Sequence, residues 1–252
     1  MNKLVSIATV AVSLFSLAAC TAENVEPSGS SASKIIGGSS DSAHPSVGFL
    51  RSVMQVGYDG RPYSVGGCTA TLIGPTAMLT AAHCATDPRL WTEVSFDPVP
   101  DQFAAHGAPG WISAALIVHP QYDGDTSHGH DVAVVLLSAR PERPVVALAA
   151  APPVGSTVTA VGYGMSVFGS DGAGAGERRA VDIPILGIAD RELVGGIDGQ
   201  ATCHGDSGGP ILANGALVGT TSYGDSVDCH GSTHFMRVDD NIDFVRRFVP
   251  SF

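Results

Sequence analysis

The stretch from His204 to Pro210, His-Gly-Asp-Ser-Gly-Gly-Pro, constrains this chain more than any other part of its sequence. Glycine permits backbone conformations that other residues avoid and proline has no backbone donor, so this segment must be a loop that leads into a strand. The flanking glycines leave the Ser207 hydroxyl open to a substrate. They also leave the backbone N–H groups of Gly205 and Ser207 free to face a developing oxyanion. The stretch therefore predicts a nucleophilic serine in a loop.

A base for this serine must come from elsewhere in the chain, because a serine hydroxyl is a weak nucleophile until its proton is removed. His83 lies upstream in Leu-Thr-Ala-Ala-His-Cys, and Asp131 directly precedes the apolar run Val132–Leu137. Each residue alone fits an ordinary structural role, His83 as a core histidine and Asp131 as an acid at the end of a strand. Together with Ser207 they suggest a base and the acid that supports it.

These three segments resemble motifs of the chymotrypsin family of serine proteases. That family has Gly-Asp-Ser-Gly-Gly-Pro around its nucleophile, Thr-Ala-Ala-His-Cys around its base and Asp-Ile/Val-Ala-Leu around its acid. All three occur here in the family's order, and the resemblance extends from about Ile35 to the C-terminus. It implies that Ser207 attacks a peptide carbonyl and that His83 carries the proton to the leaving amine. Asp131 would orient His83, and the amides of Gly205 and Ser207 would form the oxyanion hole.

Short β-rich runs broken by glycine, proline and aspartate predict an all-β fold. The runs are Val47–Val56, Thr69–Ile73, Ala77–Thr80, Val94–Phe96, Ala114–Val118, Val132–Leu137, Thr157–Gly162, Ala180–Leu186, Pro210–Leu212, Ala216–Tyr223 and Thr233–Val238. The resemblance implies two six-stranded antiparallel β-barrels, one at about 35–145 and one at about 150–238, within a protease domain at 35–252. Asn214 and Gly215 between two apolar runs predict a two-residue hairpin turn.

A C-terminal helix is predicted over about 239–249. Ile242, Val245 and Phe248 recur at helical spacing and share one face, and Asp239 or Asp240 is expected to cap the N-terminus.

The N-terminal residues 1–19 have the pattern of a signal peptide, with Lys3 followed by an uncharged apolar run that is short for a membrane span. The run ends Leu-Ala-Ala-Cys at Cys20, which resembles the bacterial lipobox, where cleavage precedes a cysteine that carries lipid. An ordinary signal peptide cut near Ala19 is the alternative. Residues 20–34 are rich in serine without apolar periodicity, as in a flexible tether. We therefore expect an exported chain whose only link to a membrane is a lipid on Cys20.

The tether ends at Lys34, and residues 35–38 read Ile-Ile-Gly-Gly. In the resembled family, a cut before this motif creates an α-ammonium that pairs with the acid preceding the nucleophile, here Asp206. A buried carboxylate needs such a partner charge. The resemblance therefore implies a zymogen that another protease cuts between Lys34 and Ile35, the alternative being a linker that matches the motif incidentally.

The resemblance also assigns a substrate-binding wall and pocket. Ser-Tyr-Gly replaces the family's Ser-Trp-Gly, which pairs with the substrate backbone. The assigned residues are Ser222, Tyr223 and Gly224 in the wall, and Ala201, Thr202 and Thr233 in the pocket.

The pocket residues differ from those of trypsin-like members, which carry an aspartate six residues before the nucleophile. Ala201 occupies that position, and Thr233 stands on the opposite wall where deep pockets have glycine. These residues predict an elastase-like preference for small or medium apolar side chains. Asp225 and Asp228 lie nearby and leave open the attraction of a basic residue at the rim.

The chain has five cysteines. An odd number in an exported protein requires one special thiol, and Cys20 fits that part. The resemblance implies the disulfides Cys68–Cys84 beside the base and Cys203–Cys229 beside the nucleophile loop.

A zinc site is one alternative for the cysteines and histidines, because His128 and His130 are close in sequence and His204 and His230 each follow a cysteine. Disulfides account for those cysteines better in an exported chain, so we expect no metal and no cofactor. The formal net charge of −11 argues against nucleic acid as a partner, and the expected partners are protein or peptide substrates.

A catalytically inactive protease homologue that serves as a binding module is the second alternative. Such proteins usually lose a residue of the triad, whereas His83, Asp131 and Ser207 are all present here.

Overall fold

The computed structural model describes residues 35–59, 61–85, 90–167 and 174–249, without the side chains of residues 54, 55 and 63–65. The predicted signal peptide, the tether with Cys20, and Lys34 lie outside these ranges. No helix in the described ranges is long and apolar enough to cross a membrane.

The first barrel is a closed six-stranded antiparallel sheet. A two-residue strand, β1 (Ser39–Ser40), precedes it in the chain and pairs with the second barrel. The strands of barrel one are β2 (Val47–Val56), β3 (Pro62–Leu72), β4 (Ala77–Thr80), β5 (Trp91–Ser95), β6 (Ile112–Val118) and β7 (Ala133–Leu137). They follow the order β2-β3-β4-β7-β6-β5, and β5 closes the barrel on β2. Leu50, Leu72, Met78, Val94 and Val135 fill its interior.

The second barrel is also closed, six-stranded and antiparallel. Its strands are β8 (Thr157–Gly162), β9 (Arg179–Ile188), β10 (Glu192–Gly195), β11 (Pro210–Ala213), β12 (Ala216–Gly224) and β13 (Thr233–Arg237). They follow the order β9-β10-β13-β12-β11-β8, and β8 pairs again with β9. The predicted hairpin is confirmed, because Asn214 and Gly215 both have positive φ (50° and 78°) and Ala213 pairs with Ala216. The predicted all-β fold of two barrels is therefore confirmed.

Apart from the two-residue β1, one strand, β10, has no counterpart among the predicted runs. Its four residues alternate between partly and fully buried, too short a pattern to stand out in sequence. Pairing with both β9 and β13 holds it in place, so its strand character depends on distant neighbours.

The C-terminal helix α1 (Ile242–Val245) is shorter than predicted, and turns follow it. The predicted aspartate cap is wrong: Asn241 holds the N-cap position, without a side-chain capping bond. The Asp239 carboxylate instead accepts two hydrogen bonds from Arg237, at 2.9 and 3.0 Å. The predicted apolar face is confirmed, because Val245 is buried in the core and Ile242 and Phe248 pack against it.

A shared apolar core joins the two barrels. Phe49, Leu79 and Val134 of the first barrel belong to one buried cluster with Leu212 and Met236 of the second. The hydroxyl of Tyr163, directly after β8, crosses the junction and shares its hydrogen between the carbonyls of Val47 and Asp97, at 3.2 and 3.0 Å. Apolar packing and hydrogen bonds therefore both join the two barrels.

Candidate active site

Adjacent strands bring His83 and Asp131 together. His83 lies in a 3₁₀ turn (Ala82–Cys84) directly after β4, and Asp131 lies just before β7. Because β4 and β7 are antiparallel neighbours, the end of one strand meets the beginning of the other. The Nδ1 atom of His83 lies 2.7 Å from Oδ2 of Asp131, and the His83 backbone N–H donates to Oδ1 at 2.8 Å.

The surroundings of Asp131 determine the tautomer of His83. The carboxylate is fully buried and also accepts a hydrogen bond from the Ser222 hydroxyl. A carboxylate oxygen accepts hydrogen bonds, so this contact assigns a proton to Nδ1 of His83 and, in the neutral imidazole, leaves Nε2 as an acceptor. The side chain of His83 is 27% exposed, which leaves this acceptor nitrogen accessible from the cleft.

Ser207 lines the same cleft as His83. On one side both residues border a pocket with Ser222, Tyr223 and Gly224, and on the other side they border a hollow with Gly66 and Gly67. No hydrogen bond joins Ser207 to His83 among the described residues. Catalytic hydrogen bonds of this kind often tighten only when substrate binds, so the placement still suits proton transfer.

The loop before Ser207 presents unused backbone donors. Gly205 has a φ of 98°, a conformation that favours glycine, and the N–H groups of Gly205 and Ser207 have no acceptor in the described part of the chain. The N–H of the intervening Asp206 turns away and donates to the carbonyl of Cys203 at 3.0 Å. Two amides without an acceptor in the described part of the chain therefore flank one that is engaged, which leaves both available as donors to a ligand oxygen.

Asp206 is buried completely beneath this loop. Its carboxylate accepts the backbone N–H groups of Cys203 and Gly164, each at 2.8 Å. Burial raises the pKa of Asp206 to about 7, although these two hydrogen bonds and the Arg179 charge oppose the shift. A Cβ atom at Gly164 would lie 2.5 Å from the carboxyl carbon, so only glycine leaves room for this acid. A further positive charge beside Asp206 would stabilise its ionised carboxylate.

The residues of the predicted activation motif lie in barrel two. Ile35 is fully buried among its core residues, and Ile36 forms an isolated β-bridge with Ala201. Lys34 lies outside the described ranges, so the structure describes only the Ile35 side of the predicted cut.

The pocket beside Ser207 is lined by several serine and threonine hydroxyl groups. Thr202, Thr233 and the wall residues line it, and Thr202 Oγ1 donates a hydrogen bond to Thr233 Oγ1 at 3.0 Å. Ala201 is buried outside the lining, packed with Ile36 and the Cys203–Cys229 disulfide.

The two acids near the rim are engaged by other groups. Asp225 accepts hydrogen bonds from the Ser232 backbone at 3.2 Å and from His234 at 3.1 Å, and Asp228 accepts one from the Ser226 hydroxyl. Neither acid lines the pocket, whose rim is formed instead by residues such as Ser226 and Val227.

Both expected disulfides are present: Cys68–Cys84 and Cys203–Cys229, with Cα atoms 6.3 and 5.3 Å apart. These cysteines therefore do not offer thiolates to a metal. The Nδ1 atom of His128 lies 2.9 Å from Asp123, and that of His130 lies 3.1 Å from Asn241, so the two histidines have separate partners.

Sequence reasoning missed the support behind Tyr223. The Tyr223 ring stacks on His234 with centroids 4.2 Å apart, and both side chains hydrogen-bond Glu192, at 3.1 and 2.8 Å. Burial and the Glu192 charge raise the pKa of Tyr223. Glu192 lies in β10, the strand that the sequence did not reveal, so no local signal identified this network.

Comparison with known proteins agrees with this geometry. The family model described as Trypsin matches residues 35–245. Brachyurin from Leptuca pugilator is 32% identical over 200 residues, which cover 71% of this chain and 86% of that protein. Trypsin from Saccharopolyspora erythraea is 29% identical over 178 residues (63% and 75% of the two chains). Serine protease 1 from Homo sapiens is 31% identical over 178 residues (63% and 69%).

Proposed function

Since the chain belongs to the trypsin family of serine proteases, we propose that His83, Asp131 and Ser207 form the catalytic triad of an endopeptidase. The observation that carries the proposal is the hydrogen bond from His83 Nδ1 to the buried Asp131, on a histidine that shares its cleft with Ser207. That bond leaves Nε2 as the base.

Acylation would begin when Ser207 Oγ attacks the peptide carbonyl and His83 Nε2 accepts the hydroxyl proton. Asp131 stabilises the imidazolium that forms and keeps its ring in place. The same proton then passes to the leaving amine, and the acyl-enzyme is hydrolysed by a water that His83 activates in turn.

The negative charge of the tetrahedral intermediate would be bound by the free N–H groups of Gly205 and Ser207. Donors that are oriented before the charge develops stabilise the transition state strongly, because they need no reorganisation during the reaction. One such donor contributes roughly 3–4 kcal/mol of transition-state stabilisation.

The test is hydrolysis of a peptide library by the purified, processed enzyme and by its Ser207→Ala variant. We expect cleavage by the first and a loss of more than roughly a thousandfold in kcat for the second. Equal turnover by both preparations would refute the assignment.

The same pocket supports an elastase-like preference for small or medium apolar side chains. The Thr202–Thr233 hydrogen bond joins two residues that line the pocket, and no acid lines its described wall. A Lys or Arg side chain would therefore be desolvated without a partner charge.

Activation is proposed to occur by cleavage between Lys34 and Ile35 by a separate protease. Asp206 supports this proposal, because its buried carboxylate lacks full charge compensation and a new ammonium at Ile35 would supply it. The pocket preference just described makes self-cleavage after Lys34 unfavourable.

Export is proposed from the signal-peptide pattern, with Cys20 as a lipid anchor. Neither disulfide involves residues 20–34. Cleavage before Ile35 would therefore release a soluble enzyme from a tethered zymogen. Cell fractionation with N-terminal sequencing tests this step, and active enzyme that still carries Cys20 would contradict it.

A further inference from the structure

Thr69 in β3 lies directly against the loop that carries Ser207, and it is completely buried. Its backbone N–H donates to the carbonyl of Ser207 at 2.8 Å, and its side-chain hydroxyl donates to the carbonyl of Gly205 at 2.9 Å. One residue of barrel one therefore holds the two carbonyls that flank Asp206. These carbonyls belong to the same two residues whose N–H groups are free.

The Thr69 hydroxyl has a defined orientation because it accepts a hydrogen bond as well as donating one. The backbone N–H of Tyr163 donates to its Oγ1 at 3.1 Å, so the hydroxyl hydrogen is left for Gly205. Tyr163 is followed by Gly164, whose N–H binds the Asp206 carboxylate. The hydroxyl thus connects strand β3, the segment after β8 and the nucleophile loop.

Gly205 needs such an external constraint. With a φ of 98° and no side chain, it has access to more backbone conformations than any other residue type. Its N–H also lacks any acceptor among the described residues that would hold the peptide before substrate arrives. A hydrogen bond on its carbonyl therefore restricts the rotation of this residue, in addition to its close packing against Gly164.

We propose that Thr69 is a positioning residue, whose hydroxyl holds Gly205 so that the amides of Gly205 and Ser207 point at the same oxyanion. This inference rests on the proposed function, in which those amides bind the oxyanion. Thr69 does not touch the substrate in this account; it acts through the peptide that does.

The chain offers a matched control two residues further along the same strand. Thr71 is also completely buried, but its Oγ1 has no hydrogen-bond partner among the residues that the structure describes. Replacing either threonine with valine removes a hydroxyl and retains the β-branched shape. Only Thr69→Val deprives the Gly205 carbonyl and the Tyr163 N–H of a partner.

The experiment compares processed wild-type enzyme with Thr69→Val, Thr69→Ser and Thr71→Val. It measures kcat and KM on one peptide substrate and the inhibition constant of a peptide aldehyde, which forms a hemiacetal oxyanion on the nucleophile. For Thr69→Val we expect kcat to fall and the aldehyde to bind more weakly, each by about tenfold or more, with KM within about twofold. Outright loss of one oxyanion donor costs roughly 10²–10³-fold, so misplacing one costs less.

Thr69→Ser keeps the hydroxyl and is expected to restore both values to within about threefold of wild type, and Thr71→Val is expected to change neither. Wild-type values of kcat and aldehyde inhibition in Thr69→Val would overturn the inference and leave the proposed function standing. Inactive wild-type enzyme would instead overturn the proposed function, and the inference with it.

If Thr69→Val does not fold, Thr69→Ala and Thr69→Ser make the same comparison, because they differ only by the hydroxyl. Failure of Thr69→Ala to fold while Thr71→Ala folds would show a purely structural role for the hydroxyl and would also overturn the inference.

Discussion

Cleavage before Ile35 is expected to change how the stability of the protein depends on pH. In the uncut chain, burial raises the pKa of Asp206 from 3.8 to about 7. The unfolded chain therefore loses this proton near pH 4, whereas the folded chain keeps it until near pH 7. A group whose pKa is raised by folding stabilises the folded state when the pH is below the group's pKa in the unfolded chain. This contribution is lost as the pH rises through the pKa of the group in the folded chain.

The size of the effect follows from the shift. A change of about three units corresponds to about 4 kcal/mol of free energy of unfolding, lost between pH 4 and pH 7. An ammonium at Ile35 would favour the charged carboxylate and recover much of this loss. The uncut protein should therefore lose up to about 3 kcal/mol more of its free energy of unfolding than the cut protein between pH 5 and pH 8, because only about two of the three units lie above pH 5.

The assay is urea unfolding of the Ser207→Ala protein, which cannot digest itself. A recognition sequence for a highly specific protease replaces residues 30–34, so that the same preparation is compared uncut and cut before Ile35. Other titrating groups of the catalytic domain are common to both forms and cancel in the comparison. In Asp206→Asn the difference between the two forms should shrink to the contribution of the new α-amino group, which titrates only in the cut form. Identical pH dependence of the cut and uncut proteins would refute the pairing of Ile35 with Asp206.

Three further results are expected. Thr233→Gly should open the pocket and raise kcat/KM for a large apolar side chain, relative to alanine, by about tenfold on matched peptides; an unchanged ratio would show that Thr233 does not limit the pocket. Asp131→Asn should lower kcat by about ten-thousandfold at neutral pH, because an amide that donates to Nδ1 imposes the wrong tautomer on His83; a loss below tenfold would contradict the role given to Asp131. Burial, with the neighbouring His130 and arginines, lowers the pKa of His119 to about 4. As the pH is lowered, the unfolded chain therefore binds this proton before the folded chain does, and the free energy of unfolding should fall from pH 6.5 to pH 4. Denaturant unfolding of His119→Gln should lack part of that fall.

The local parts of the site were predictable from sequence because their chemistry is written into short motifs. Glycines on both sides of Ser207 are compatible with a tight loop and with little else. The structure shows why Gly209 is required, because a Cβ atom there would lie 2.5 Å from the Val161 carbonyl. The barrels were predictable because short β-rich runs recur between turn residues.

The supporting parts of the site were not predictable, because they depend on residues far apart in sequence. Thr69 contacts Gly205 across 136 positions, and its sequence context is that of any strand residue. Glu192 supports Tyr223 from a strand that only its pairing with β9 and β13 defines. The prediction of the α1 cap was wrong because the Asp239 carboxylate binds Arg237. Arg237 is the last residue of β13, so this contact depends on where that strand ends.

The central claim, that Ser207 is a nucleophile activated by His83, is tested most directly by covalent labelling. A fluorophosphonate loses fluoride when an activated serine attacks its phosphorus, so intact-mass measurement counts the adducts and peptide mapping locates them. We predict one adduct, on Ser207, in the processed wild-type enzyme and none on that residue in His83→Ala. An unlabelled Ser207 in folded, processed wild-type enzyme would contradict the account and favour a binding module without catalysis.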